Sequence, residues 1–256
     1  MLNSYLIIFL IYSVQAQKVK EYYQDYRLFY DQIDVSGIPL YRQYFDHSLD
    51  LVRKFTQDSF DQSFDIYVHP DRISIDSAWQ TNWNLPSFHS DCWMVASGVG
   101  ARFDLLSPRV WETEACEHQA DDTIASQKLI AHELFHVFHG QRNVSADFSE
   151  TDNIDWFVEG FATYASGQCD QERIEAVKEA IKLDQIPASL DNFWTGTLRY
   201  GLSGSVVLYL DQQFGRRTIL KLLKFNKKDQ ILDALKMSEK VLLTEWKTFI
   251  LKFDKY

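Results

Sequence analysis

Glycine and proline are scarce in this 256-residue chain, ten and five residues respectively. No segment repeats or falls to low complexity. A linker-joined pair of domains, a disordered tail and a repeat array each need one of those features, so one domain is the default. Basic clusters are also missing. Against 36 Asp and Glu stand only 26 Lys and Arg, a net charge of −10, which works against nucleic acid or an anionic membrane as a partner. Cysteine is rare, with Cys92, Cys116 and Cys169 alone, and none is spaced from another as in a cysteine-based metal site. Apolar residues are present in ordinary measure: 46% hydrophobic and 24% charged suit a soluble globular protein. Aromatic content is high at 15%, and stretches such as "EYYQDYRLFY" read as core before they read as a substrate groove.

The apolar run from Tyr5 to Val14 is too short to cross a bilayer comfortably. With a polar start before it and small residues up to Ala16, it reads as a secretory signal peptide over residues 1–16, leaving 17–256 as a single domain. The chain departs from the usual leader in having no Lys or Arg before the run, and an uncleaved anchor is the alternative reading. An exported protein, free of the membrane after cleavage, is the expectation. Three cysteines then fit one disulfide and one leftover thiol. Cys92 with Cys116 is the preferred pair, because a hairpin from "CWMVAS" into "RFDLLSP" brings the two segments together. One glycosylation sequon, "NVS" at Asn143, matters only where the host glycosylates exported proteins.

"YRLFYD" and "FDIYVHP" read as strands, with an amphipathic helix between them in "IPLYRQYFDHSLDLVRKFTQDSF". "WMVAS" and "ARFDLLSP" add two more strands around Gly98 and Gly100, which suit a turn or bulge. From Asp121 onward the pattern is helical, with breaks near Gly140, Gly167, Pro187 and Gly215. Strands first and helices second predict an α+β fold.

One of those helices carries "HELFH", residues 132–136. It opens at Asp121 or Asp122 as N-cap, ends at Gly140, and is apolar around most of its circumference. H-E-x-x-H arises by chance in on the order of one chain in a hundred of this length, so the motif needs support. A spacing of four returns His132 and His136 to one face, about 6 Å apart along the axis, so one ion can meet both. Two readings stay open for this helix alone: a metal site, or core histidines whose partners offset their desolvation. A catalytic zinc needs a third protein ligand. His139 shares the face but lies about 10 Å along the axis from His132, beyond the reach of bonds of about 2 Å. The extended metzincin pattern wants glycine at position 139 and histidine at 142, where this chain has His139 and Arg142. Glu159 in "DWFVEGFATYAS", 23 residues after His136, is the remaining piece of a His2Glu site. Taken by itself it reads equally as a first-turn carboxylate stabilised by the helix dipole.

"HELFH" followed by "WFVEGFATY" resembles the gluzincin zinc metallopeptidases of the peptidase MA clan, in which a W-x-x-E-G-x-A-x-Y helix donates the third ligand. "RYGLSGSVVLYLDQQFG" is similar to the segment of aminopeptidase N-type enzymes that begins with a tyrosine at the catalytic centre and runs into a helix ending in L-G or F-G. Tyr200 takes the tyrosine's place and Gly215 the closing glycine, with Tyr209 and Leu210 also matching. Apart from the resemblance, Tyr200 reads as a core or groove-wall residue. The likeness is close in these three short stretches and loose from Gly98 to Gly215. The G-x-M-E-N element that holds a substrate's amino terminus in those enzymes has no counterpart in "SGVGARFD". The resemblance therefore implies a shorter, stand-alone gluzincin domain.

Its further implications are specific. The fold would be a thermolysin-like α+β catalytic domain, with a small mixed sheet in the N-terminal part, a mostly helical C-terminal part and a zinc cleft between them. One Zn²⁺ would be held by His132, His136 and Glu159, with Glu133 as general base and Tyr200 as a donor to the oxyanion. The substrate would be a peptide or protein, paired in extended form with the strand "ARFDLLSP" by edge-strand addition. Since a fold does not guarantee activity, a catalytically inactive gluzincin-like binding or scaffold protein is the alternative.

Overall fold

A computed structural model describes residues 18–254; the leader expected over residues 1–16 lies outside the described residues. Strand β1 (Lys18–Tyr22) pairs antiparallel with β2 (Tyr26–Asp31). Helix α1 (Ile38–Thr56) then crosses over to β3 (Phe64–His69), which lies parallel to β2. Helix α2 (Arg72–Asn82) precedes a hairpin of β4 (Ala96–Val99) and β5 (Arg102–Leu106). Because β5 pairs parallel with β3, the mixed five-stranded sheet has the order β1-β2-β3-β5-β4. A short turn α3 (Trp111–Glu114) leads into the helical part: α4 (Thr123–Gly140), α5 (Asp155–Ala165), α6 (Gln171–Lys182), α7 (Arg199–Phe214), α8 (Arg216–Leu222), α9 (Lys228–Leu235) and α10 (Glu239–Lys252). The expected α+β division, strands early and helices late, is what forms.

Period-two alternation decides which face of the sheet is covered. Tyr26, Leu28, Phe64, Ile66, Phe103 and Leu105 are all buried, and Phe45 of α1 meets both the Tyr26 and Phe103 rings edge-on. Helix α4 packs against α1 and β4. Its N-cap is Asp122, whose carboxylate accepts from the Ala125 N–H at 2.9 Å, and every residue from Ile130 to Gly140 is buried.

Two expectations need correction. The strand "ARFDLLSP" is not an edge: β5 lies between β3 and β4, and β4 forms the margin of the sheet. Strand order is a long-range property that alternation cannot reveal. Gly98 lies within β4 rather than in the turn. Its missing Cβ is needed because a side chain there would overlap the backbone carbonyl of Glu133, so β4 can lie directly on the motif helix.

Other features fix the surroundings of α4. The preferred disulfide, Cys92–Cys116, forms, contributing roughly 3–4 kcal/mol if chain entropy sets its worth; Cys169 is a buried free thiol. The Arg72 guanidinium donates to the carbonyls of Cys92, Met94 and Glu114 and so binds both sides of that bridge. Asn143 is buried, its amide donating to the carbonyls of Leu223 and Phe225 at 2.8 Å each. The sequon's acceptor nitrogen is thus committed inside the folded protein. No helix among the described residues is long and apolar enough to cross a membrane.

Candidate metal centre

Helices α4 and α5 bring together the three predicted ligands. Nε2 of His132 lies 3.0 Å from Nε2 of His136, and Oε2 of Glu159 lies 3.3 Å from each. A tetrahedral ion with bonds of about 2.0 Å separates its ligand atoms by about 3.3 Å, so the triangle has the dimensions of one face of such a site. Both Nδ1 atoms are buried with no hydrogen-bond partner in the protein. Protons on Nδ1 would aim three lone pairs at one point; a proton on either Nε2 would leave a bare lone pair at that ring's buried Nδ1. A cation at the point where the three atoms converge removes the first conflict, and these residues could hold a metal ion.

Packing against α7 sets the position of Glu159. Gly160 lies against the backbone of α7, where a Cβ would overlap the Ser203 carbonyl. This approach brings the start of α7 to the site. The ring of Tyr200 lies 6.3 Å from that of His132, centre to centre. A Gly160→Ala change would force the helices apart at a cost of about 1–3 kcal/mol.

The charges of the site are strongly coupled. Burial works toward a protonated Glu159, but the His136 and His132 rings outweigh it and hold the carboxyl far below the usual range. Burial also opposes charge on His136, yet Glu159 and Glu133 more than compensate and raise its pKa. Glu133 goes the other way: burial lifts its pKa further than the two histidines pull it down. Burial, with Glu159 second, raises the Tyr200 phenol.

A cleft of about 580 Å³ opens over this centre, lined by His132, Glu133, Tyr200, Trp93, Leu129 and Arg199 among others. Glu133 and Tyr200 therefore line the same cleft as His132. His139, rejected as a ligand on spacing, is fully buried and points elsewhere, its Nε2–H donating to the Leu223 carbonyl at 3.1 Å. The sequence reading missed Trp93 and Arg199, since a lone tryptophan or arginine in a loop or at a helix start carries no spacing signal. No protein-family model matches the chain, and no curated protein matches it, so the site is read from its own geometry.

Proposed function

We propose that this chain is an exported zinc-dependent peptidase of the gluzincin type, with a thermolysin-like cleft between its sheet-bearing and helical parts. The observation that carries this reading is the triangle of His132, His136 and Glu159, 3.0–3.3 Å on a side, at a cleft that also exposes Glu133 and Tyr200. Two imidazoles and a carboxylate are a donor set suited to zinc. Bound there, zinc supplies Lewis-acid polarisation of a substrate carbonyl and acidification of water.

The remaining chemistry belongs to the chain. Glu133 takes the proton as water adds to the peptide carbonyl and passes it to the amine when the C–N bond breaks, leaving a carboxylic acid and a free amine. A raised pKa suits that role, because the carboxylate must accept and then release a proton near neutrality. The Tyr200 hydroxyl donates to the oxygen on which negative charge develops. Edge strand β4, with one side unpaired in the sheet, is the segment on which an extended substrate would align.

The intact Glu133 and the nearby Tyr200 favour an enzyme over an inactive scaffold of the same fold. The test is hydrolysis of a diverse peptide library, followed by mass spectrometry, with wild type and Glu133→Gln. Cleavage by wild type alone supports the reading; equal patterns from the two proteins, or none from zinc-loaded wild type, would overturn it.

A further inference from the structure

Arg199 opens helix α7 and lines the cleft beside His132, Glu133 and Tyr200. Its guanidinium carbon lies 4.8 Å from the ring centre of Trp93, 5.5 Å from that of Trp194 and 5.3 Å from that of Tyr200. These partners hold the charge without neutralising it: among the described residues they are three rings, and none is a carboxylate. Arg102, Arg142, Arg173 and Arg216, by contrast, each have a carboxylate oxygen within 3.2 Å. Arg173 lines the same cleft but is committed to Asp170 at 3.1 Å.

Among the described residues Arg42, Arg72 and Arg217 also have no carboxylate partner, but none of the three lines this cleft. At Arg199, stacking on aromatic faces stiffens the side chain and leaves its in-plane N–H donors available. That fork matches a carboxylate bidentately. Glu117, Asp122 and Asp170 line the same cleft and repel anions along it; Lys128 also lines it, but its ammonium is a point charge on a flexible stem, so Arg199 is the cleft's one uncommitted fork that can grip a carboxylate bidentately.

We propose that Arg199 is the specificity-determining residue of this cleft and binds a carboxylate of the peptide substrate close to the scissile bond. The inference rests on the peptidase reading. The carboxylate is supplied by a free C-terminus or by an Asp or Glu side chain, and the substrates are peptides that place one of these within reach.

Four peptides with a common core test it: free or amidated C-terminus, each with Asp or Asn beside the cleaved bond. kcat/KM is measured for wild type, Arg199→Gln and Arg199→Lys. Binding is measured separately by calorimetry in Glu133→Gln, with and without Arg199→Gln. Wild type should favour the carboxylate-bearing member of the relevant pair by about 10- to 100-fold, the range for a charge-assisted contact. Arg199→Gln should bring that ratio close to one, and Arg199→Lys should keep part of it. The pair that responds identifies the source of the carboxylate. An absent preference in wild type, an unchanged ratio in Arg199→Gln, or one common loss for all four peptides would overturn the proposal, the last making Arg199 a positioning residue for Tyr200. If Arg199→Gln does not fold, the ratio in Arg199→Lys decides, and an undiminished one counts against. Carboxylate-selective binding without hydrolysis by wild type would overturn the peptidase reading and uphold Arg199; hydrolysis without charge preference would do the reverse.

Discussion

His69 and His132 are each buried beside a carboxylate, on opposite faces of β5 and its neighbours, yet their surroundings differ in one respect. Nε2 of His69 lies 2.6 Å from Oδ1 of Asp104, and the Arg102 guanidinium grips both oxygens of that aspartate at 2.6 and 2.7 Å. This cluster is closed, since the carboxylate has a cation and an imidazole and needs nothing further. Around His132, among the described residues, no arginine pairs with Glu159. Two imidazoles and Glu159 aim their ligand atoms at one point and leave both Nδ1 atoms unpaired. A buried histidine–carboxylate pair is thus a weak pointer to chemistry; unsatisfied convergence beside a cleft is a stronger one.

The comparison breaks most visibly at Glu133. Glu133→Gln should reduce turnover by about 10²- to 10⁴-fold, the usual worth of a general base, while zinc content stays at the wild-type level. Zinc loss with the fold intact would make Glu133 a ligand instead. On the other face, Asp104→Ala should leave zinc content unchanged but cost about 1–3 kcal/mol of stability, because it leaves the buried His69 ring and the partly buried Arg102 guanidinium without their partner. Urea denaturation reads this, and a loss below 1 kcal/mol would mean the cluster is not the closed structural pair described.

Tyr200→Phe sharpens the functional side. If the Tyr200 hydroxyl is the oxyanion donor proposed above, its loss should lower kcat by about 10²- to 10³-fold, with little change in KM and no change in zinc content. Unchanged turnover would assign Tyr200 to the cleft wall.

A smaller effect is expected from His139, which shares α4 with the ligands. Burial, with His136 second, depresses its pKa from 6.5 to about 3. The unfolded chain therefore binds this proton more readily, and the stability carried by neutral His139 is complete above pH 6.5 and lost as pH falls from there towards 3. The slope is about 1.4 kcal/mol per pH unit. Denaturation of wild type and His139→Gln at pH 7.5 and 5 should show a shallower acid loss in the variant; parallel losses would place the acid sensitivity elsewhere.

Much of this was legible in the sequence, for local reasons. β2, α1 and β3 follow from periodicity, and the limits of α4 from Asp122 and Gly140. The pairing of Cys92 with Cys116 followed from the hairpin between them. β1 escaped notice because Lys18, Lys20 and Glu21 give it no apolar face, and α2 because "RISIDSAWQTN" buries only Ile75, Asp76 and Trp79. Both the edge position of β4 and the aromatic cage around Arg199 arise from segments far apart in the chain. Spacing found the motif residues, and only the folded chain assembles their neighbours.

The central claim is that His132, His136 and Glu159 form a zinc site, and zinc content after exhaustive dialysis tests it most directly. Wild type and Glu159→Ala, purified side by side and confirmed as folded, should hold one equivalent and none respectively. Near-normal zinc in Glu159→Ala, or a wild type that neither holds zinc nor gains stability when it is added, would contradict the account.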